Sequence, residues 1–221
     1  AAAAAVTSDL KVGTGIALVT ERDPILMAKQ VATLDHISDG RLILGVGAGW
    51  NAEEMENHGT PFAARWKVLR ERILAMKAIW SDEEAEFHGD YVDFDTVWSY
   101  PKPKQAGGPP ILLGAASKYM YKRIAEYCDG WFPIYQDEAR AAASGANDYS
   151  ESMRLTQEAW DGADREGSPN FTIFGVGPDA AAVERCMEHG FDRIVFALPP
   201  AEADQVLPLL ERYANLKHQH Q

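Results

Sequence analysis

The sequence predicts an α/β fold built on a parallel sheet, and three observations support this expectation. Short apolar, β-branched segments alternate with amphipathic helical segments along the 221 residues, an order typical of parallel strands joined by right-handed crossovers. The strand segments are apolar without alternation, as in "RLILGVG" (41–47), which is expected of strands buried on both faces. The sequence contains no low-complexity linker, so we expect a single domain over residues 1–221.

The first half of the chain begins with "AAAAAVTS", which we interpret as the end of an Ala-rich helix. A longer helix starts at Pro24, because proline is preorganised for a first helical turn and because Ile25, Ala28 and Val31 recur at helical spacing. The elements expected in this half are strand 10–19, helix 24–38, strand 41–47 and the amphipathic helix 65–80.

Residues 81–110 are aromatic and rich in turn residues without a helical period, so we interpret them as an excursion that carries a hairpin. The alternation resumes after it with strand 111–114, helix 117–128, strand 129–134, helix 148–166, strand 171–176, helix 179–190, strand 191–198 and helix 203–214. We count six strand–helix units. An open doubly wound sheet accommodates six, whereas a closed barrel of this type needs eight.

The composition excludes several classes of function. The formal net charge of −12 and the pI of about 4.9 argue against nucleic acid as a partner, because neutralising phosphates requires a basic face. No apolar run reaches the roughly 18 residues of a membrane helix, so no membrane partner is expected. Cys128 and Cys186 indicate no disulfide framework, and we expect a reducing, cytoplasmic location. The histidines lack ligand spacing, so no metal site is expected.

Three glycines, Gly45, Gly47 and Gly49, alternate in "GRLILGVGAGWNAEE" (40–54) directly after an apolar run. The dinucleotide fingerprint G-x-G-x-x-G needs its third glycine one position later, where Trp50 stands, so this match is weak. The spacing alone leaves two further interpretations open. The glycines either cradle a phosphate or end a buried strand with small residues for tight packing.

A second turn of small residues, "ILLGAASKYMYKR" (111–123), also joins a strand to a helix. Ser117 is well placed as the N-cap, and the free N–H groups at a helix start can bind phosphate. Lys118 and Lys122 add positive charge close by. Because the carboxyl ends of parallel strands share one face, two such turns favour a ligand site there.

The segment "VGTGIALVTERDPILMAKQVATLDHISDGRLILGVGAGWNAEE" resembles the bacterial luciferase-like monooxygenase superfamily, in particular its branch of oxidoreductases that use the deazaflavin coenzyme F420. "DFDTVWSYPKPKQAGGPPILLGAAS", "CDGWFPI" and "FALPPAEADQVLPLLERYA" fit the same branch, so the resemblance extends over nearly the whole chain. It implies a (β/α)8 TIM barrel that binds a flavin or deazaflavin at the carboxyl ends of its strands. Family members normally begin with two further strand–helix units, so the resemblance implies that this sequence is N-terminally incomplete or belongs to a shortened relative.

The resemblance also implies which residues bind the cofactor. At Gly15–Ile16 it implies a non-prolyl cis peptide bond that bulges against the central ring of the cofactor. Ala48 and Gly49 would allow the backbone to approach the cofactor closely, and Glu53 would accept hydrogen bonds from ligand hydroxyls.

Trp50 and the second turn complete the set of cofactor contacts that the resemblance implies. Trp50 either contacts the cofactor or packs as an aromatic residue on the rim. A family member that oxidises glucose 6-phosphate has an acidic proton donor at this position, so that substrate is not expected here. Gly114, Ala115, Ala116 and Ser117 match the turn that holds the cofactor phosphate.

The function that the resemblance implies is an oxidoreductase in which coenzyme F420 exchanges hydride with a small organic substrate, while the protein supplies orientation and electrostatics. Two alternatives stay open: an FMN-dependent monooxygenase, and a shortened relative that binds flavin without catalysis. The catalytic acid or base is not assigned, and we expect it in the two preceding units. A homodimer is expected through helix 24–38, because its Ile25, Met27, Val31 and Leu34 exceed one inward apolar stripe.

Overall fold

The computed structural model describes residues 1–137 and 149–219, and these residues form two compact units. The first unit comprises Ala1–Gly114 with Glu126–Asp129, and the second comprises Ala115–Ala125 with the described residues from Gly130 onward. The single domain expected over residues 1–221 stays a prediction.

The first unit consists of parallel strands, helices and one antiparallel hairpin. Its elements are α1 Ala2–Ala5, β1 Val12–Gly13, β2 Ala17–Leu18, α2 Pro24–Ile37, β3 Leu42–Gly47, α3 Ala52–Asn57, α4 Arg65–Ser81, β4 Ala85–His88, β5 Asp93–Val97 and β6 Ile111–Leu113. β3 pairs in parallel with β1 and β2 along one edge and with β6 along the other. β3 and β6 are almost entirely buried, so the predicted parallel pairing of two-faced apolar strands is confirmed in this unit.

The structure corrects the single strand predicted over 10–19. This segment forms two short strands, β1 and β2, followed by a 3₁₀ turn at Val19–Glu21. Gly13 pairs with Ile43 and Ala17 pairs with Val46. Between these two paired positions the segment therefore contains one residue more than β3. The extra residue breaks the ladder. The apolar pattern gave no sign of this interruption because both halves are apolar.

The predicted helix over 24–38 is present as α2, which packs against α4. Asp23 caps its first turn by accepting a hydrogen bond from the N–H of Leu26 (2.7 Å). On α4, the buried indole of Trp80 donates to the carbonyl of Ala28 (3.0 Å). Trp80 also lies against Gly108, whose φ is +104°. These contacts fix α2 and α4 against each other in the core.

The outward side of α2 carries two exposed apolar side chains, Leu26 and Ile37. Met27 and Val31 are buried. They therefore do not add to the outward apolar surface on which the expected homodimer was based. Leu26 and Ile37 are therefore the apolar groups that a second subunit could cover. The homodimer itself stays a prediction.

Residues 81–110 contain the predicted hairpin, in which β4 and β5 pair antiparallel. The buried carboxylate of Glu71 on α4 accepts hydrogen bonds from three backbone N–H groups of the hairpin turn. The donors are Asp90 (3.2 Å), Tyr91 (2.6 Å) and Val92 (2.9 Å). One buried side chain of the helix thus holds the hairpin in place.

The segment that connects the hairpin to β6 is held by polar contacts with α2 and α4. Asp35, fully buried on α2, accepts hydrogen bonds from the backbone N–H and the side-chain amide of Gln105, both at 2.8 Å. The ammonium group of Lys102 donates to the carbonyls of Ile79 (2.7 Å) and Asp82 at the end of α4. These carbonyls have no helical partner, so Lys102 satisfies acceptors that the helix leaves open.

His88 and Asp93 form an ion pair across the exposed hairpin (Nδ1 to Oδ1, 2.7 Å). We expect this pair to make the stability of the hairpin depend on pH. The hydrogen bond to Asp93 raises the pKa of His88 above its ordinary value of 6.5. Because the folded-state pKa is raised, the contribution to stability is complete below pH 6.5 and is lost as the pH rises through the folded-state pKa. NMR titration of His88 should give a lower pKa in Asp93→Asn, and an unchanged pKa would contradict this assignment.

The second unit repeats the strand–helix alternation. Its elements are α5 Met120–Tyr127, β7 Gly130–Trp131, α6 Tyr149–Asp161, β8 Asn170–Val176, α7 Ala180–His189, β9 Arg193–Phe196 and α8 Ala203–Gln219, of which the last two residues of α5 belong to the first unit. β8 pairs in parallel with β7 and with β9. Residue 148, where we predicted that a helix starts, lies outside the described residues. The closed eight-stranded barrel implied by the resemblance stays a prediction.

Candidate functional site

The turn between β1 and β2 presents an apolar side chain at the end of β3. The Gly15–Ile16 peptide bond is cis, as the resemblance implied. The hydroxyl of Thr14 donates to the carbonyl of Gly45 (2.7 Å), which ties the turn to β3. Ile16 lies over Gly47, and a β-carbon at position 47 would overlap Ile16 Cδ1. Glycine at this position therefore leaves room for Ile16 to lie across the end of the strand. Ile16 is 38% exposed.

The loop after β3 is held by the 3₁₀ turn that follows β2. The hydroxyl of Thr20 donates to the carbonyl of Ala48 (3.2 Å), and the hydroxyl of Thr60 donates to the carbonyl of Thr20 (2.6 Å). Gly49 has a φ of +81°, and a β-carbon there would lie 2.8 Å from Met55 Cε. The loop therefore requires glycine for its backbone angle and for its close packing. Contact of Ala48 and Gly49 with a cofactor stays a prediction.

Trp50 and Glu53 are exposed next to this loop. The side chain of Trp50 is 86% exposed, so it is not packed as an aromatic residue on the rim. Asn51 caps α3 by accepting a hydrogen bond from the N–H of Glu54 (3.3 Å), and Glu53 is exposed in the first turn of α3. Both side chains are available to a ligand, and their contact with a cofactor stays a prediction.

Glu21 is a candidate ligand-binding residue that our reading of the sequence missed. Its Oε1 atom is buried and has no hydrogen-bond partner among the described residues. This atom would lie 3.9 Å from a β-carbon added to Gly49. A buried polar atom without a partner is costly, and an N–H or hydroxyl of a ligand would satisfy it. The available signal was an acidic residue in "TERDP", between an apolar strand and the proline that begins a helix.

Arg72 of α4 supports the turn that carries Glu21. Its guanidinium donates to the carbonyl of Val19 (2.9 Å). Burial lowers the pKa of Arg72 below its ordinary value, and the negative charge of Asp23 acts in the opposite direction. The guanidinium stays charged, because arginine does not lose its proton in proteins. Glu21 is therefore presented by a turn that a charged side chain fixes.

The predicted phosphate turn, Gly114–Ser117, is divided between the two units. In the first unit, the N–H of Gly114 donates to the carbonyl of Val46 (2.8 Å), so this N–H is occupied by β3. In the second unit, the carbonyl of Ala115 accepts a hydrogen bond from the indole N–H of Trp131 (2.8 Å). A role of Gly114, Ala115 and Ala116 in phosphate binding stays a prediction.

The structure corrects the assignment of Ser117 as the N-cap. The following helix, α5, begins at Met120, and the N–H of Met120 donates to the backbone carbonyl of Ser117 in a preceding turn (2.9 Å). The hydroxyl of Ser117 instead accepts a hydrogen bond from the guanidinium of Arg123 (3.1 Å). The sequence pointed to Lys118 and Lys122 as the nearby positive charges, and it missed Arg123.

Residues 1–137 and 149–219 contain no second kind of site among those that the metal ligands or the helices could form. No group of three His, Cys, Asp or Glu side chains in this part of the chain is placed to hold a metal ion. None of the described helices combines the length and apolar character needed to cross a membrane. Within the first unit, the candidate site consists of the turn at Ile16, the loop after β3 and Glu21.

Comparison with known proteins identifies a family that this chain matches. The model of the luciferase-like monooxygenase family matches residues 1–175. The chain is 38% identical over 213 residues to an uncharacterized protein of Mycobacterium tuberculosis, covering 96% of this chain and 72% of that protein. It is 34% identical over 131 residues to the FMNH(2)-dependent dimethylsulfone monooxygenase of Pseudomonas putida (58% and 36% covered). It is 29% identical over 166 residues to the F420-dependent glucose-6-phosphate dehydrogenase of Amycolatopsis mediterranei (67% and 50% covered).

Two solved structures share the fold. The monooxygenase RslO1 from Streptomyces bottropensis matches with a TM-score of 0.85 at 17% identity, over 99% of this chain and 80% of that one. The coenzyme F420-dependent tetrahydromethanopterin reductase from Methanopyrus kandleri matches with a TM-score of 0.65 at 21% identity, over 86% and 62% of the two chains. At these identities the likeness is one of fold.

Proposed function

Since this chain belongs to the luciferase-like monooxygenase family, we propose that it is an oxidoreductase that transfers hydride between coenzyme F420 and a small organic substrate. The similarity to an F420-dependent dehydrogenase and the fold shared with an F420-dependent reductase support this proposal. The preference for F420 over FMN rests on the resemblance of residues 12–54 to the F420 branch.

The position of Ile16 over Gly47 is the observation that carries the proposal. A partly exposed aliphatic side chain at the carboxyl end of a buried parallel strand offers an apolar contact. The unpartnered Oε1 of Glu21, beside Gly49 of the same loop, offers a hydrogen-bond acceptor. Apolar walls with a few placed polar groups are typical of cofactor sites, so these residues fit a ring with a polar edge.

Each of these residues has a distinct part in binding. The bound deazaflavin or flavin supplies the hydride chemistry. Ile16 would pack against the ring, Gly47 leaves the space that Ile16 occupies, and Glu21 would accept a hydrogen bond from a ligand N–H or hydroxyl. In the second unit, Ser117 and Arg123 offer a hydroxyl and a guanidinium, a combination suited to a phosphate group.

An FMN-dependent monooxygenase is the second candidate function. The similarity to the FMNH(2)-dependent dimethylsulfone monooxygenase favours it. The site residues named above would bind either the ring of F420 or that of FMN. The relative affinities for the two cofactors therefore distinguish the two candidate functions. A protein that binds flavin without catalysis is the remaining alternative.

The full chain, titrated separately with F420 and with FMN, tests this proposal. We expect saturable binding with a lower dissociation constant for F420. Tighter binding of FMN would favour the monooxygenase, and tight binding without turnover of any reduced cofactor would favour the binding protein. Absence of binding to both cofactors would overturn the proposal.

Replacing Gly47 with alanine should weaken cofactor binding, because the new β-carbon displaces Ile16 from the end of β3. We expect the dissociation constant to rise about tenfold, which corresponds to about 1.4 kcal/mol. The matched control is Gly177→Ala, because the space around its β-carbon is open within 4 Å. Equal affinities of the two variants would contradict the role given to Ile16.

A further inference from the structure

The turn that carries Glu21 is fixed through the residue before it, Thr20. The carbonyl of Thr20 accepts a hydrogen bond from the hydroxyl of Thr60 (2.6 Å). The hydroxyl of Thr20 donates to the carbonyl of Ala48 (3.2 Å). One residue earlier, the carbonyl of Val19 accepts a hydrogen bond from a guanidinium group of α4 (2.9 Å). These bonds connect the turn with α4, with the segment after α3 and with the loop after β3.

Thr60 extends these connections to α3. Its backbone N–H donates to the carbonyl of Met55 (3.1 Å), which belongs to that helix. Met55 in turn packs against the loop after β3, because a β-carbon at Gly49 would lie 2.8 Å from its Cε. Both threonine side chains are buried, and Thr20 is completely so. The contacts therefore form a closed circuit from the loop through α3 and the two threonines back to Ala48.

This circuit surrounds a buried acceptor that has no partner. Oε1 of Glu21 makes no hydrogen bond to any described residue, and it would lie 3.9 Å from a β-carbon on Gly49. Such an atom costs free energy, so a loop that was free to move would be expected to close on it and supply a donor. The bond from Thr20 to Ala48, directly before Gly49, opposes that movement.

We propose that Thr20 is a positioning residue, whose hydroxyl holds the loop after β3 so that Oε1 of Glu21 stays open to a donor group of the cofactor. Because Thr20 is fully buried, it acts through Glu21 and not by touching the ligand. The inference rests on the proposed function, since it takes the ligand of Glu21 to be the cofactor.

Replacing Thr20 with valine removes the hydroxyl and keeps nearly the same shape. The probe is F420 or FMN, whichever binds the full parent chain more tightly. Thr20→Val should raise its dissociation constant about tenfold, and Thr20→Ser, which keeps the hydroxyl, should stay within about twofold of the parent chain. Without cofactor, hydrogen exchange in residues 48–58 should be faster in Thr20→Val than in the parent chain.

Thr156→Val is the matched control in the second unit. Thr156 is also completely buried, and its hydroxyl donates to the carbonyl of Ser152 (2.7 Å). Both valine variants should lose stability in urea, because each loses one buried hydrogen bond. Only Thr20→Val should lose cofactor affinity. An equal loss of affinity in the two variants would reflect general destabilisation and would overturn the inference.

A double-mutant cycle separates the positioning of Glu21 from other effects of Thr20. Glu21→Ala should weaken cofactor binding by itself, and adding Thr20→Val should then change the dissociation constant by less than about twofold, because the positioned carboxylate is gone. Full additivity of the two losses would overturn the inference. Unchanged affinity in either single variant, or unchanged exchange of residues 48–58, would do so too. Failure of the proposed function is seen separately, since the parent chain would then bind neither cofactor, and that result overturns both.

Discussion

Replacing Gly108 with alanine is expected to lower the free energy of unfolding by about 3 kcal/mol. Two costs add up at this position. The φ of +104° is strained for any residue with a side chain, and the new β-carbon would overlap the indole ring of Trp80. Trp80 cannot easily move, because it is buried and donates to the carbonyl of Ala28. Urea titration followed by circular dichroism measures the loss.

The neighbouring Gly107 provides the control for this prediction. Its φ of +77° imposes a similar backbone cost, but no atom lies within 4 Å of the position of a β-carbon. Gly107→Ala should therefore cost only about 1 kcal/mol. Equal losses in the two variants would show that the contact with Trp80 has no part in the effect.

Replacing Glu71 with alanine should also cost about 3 kcal/mol, because it removes the acceptor of three hydrogen bonds at once. A carboxylate that accepts from backbone N–H groups forms stronger bonds than a neutral acceptor. The N–H of Val92, in a buried residue, would be left without that acceptor. We expect lower stability in urea and faster hydrogen exchange of the amides of Asp90, Tyr91 and Val92.

Two further variants separate the hydrogen bonds from the simple loss of a charge. Glu71→Gln keeps one oxygen acceptor and should lie between the parent chain and Glu71→Ala. Glu56→Ala removes an exposed carboxylate of α3 and should change stability by less than about 0.5 kcal/mol. Unchanged exchange of the hairpin amides in Glu71→Ala would contradict the role of Glu71.

Much of the fold could be predicted from the sequence, because local signals determine most of its elements. Apolar periodicity and Pro24 located α2, and the turn-rich composition of 81–110 located the hairpin. The interruption between β1 and β2 could not be predicted, because it depends on register against β3 and not on local hydrophobicity. The anchoring of the hairpin by Glu71 was likewise invisible, since its partners lie about 20 residues away.

The candidate site was predictable only in part. The small residues of both turns were visible as a pattern, and the cis bond at Gly15–Ile16 followed from the resemblance and is confirmed. Glu21 was missed because a lone acidic residue in a connecting turn looks like an ordinary surface charge. Arg123 was missed because its contact with Ser117 spans the turn before α5, which the sequence did not separate from the helix.

The double pairing of β3 has a consequence for the order in which the first unit assembles. Val12 pairs with Leu42 from 30 residues away, whereas Ile111 pairs with Leu44 from 67 residues away. The entropy of closing a loop grows with the logarithm of its length, so the second pairing costs about 0.7 kcal/mol more than the first. Topology therefore favours early association of β1, β2, α2 and β3, with β6 joining afterwards. The strand end that Ile16 covers thus belongs to the more local, faster-forming part of the unit.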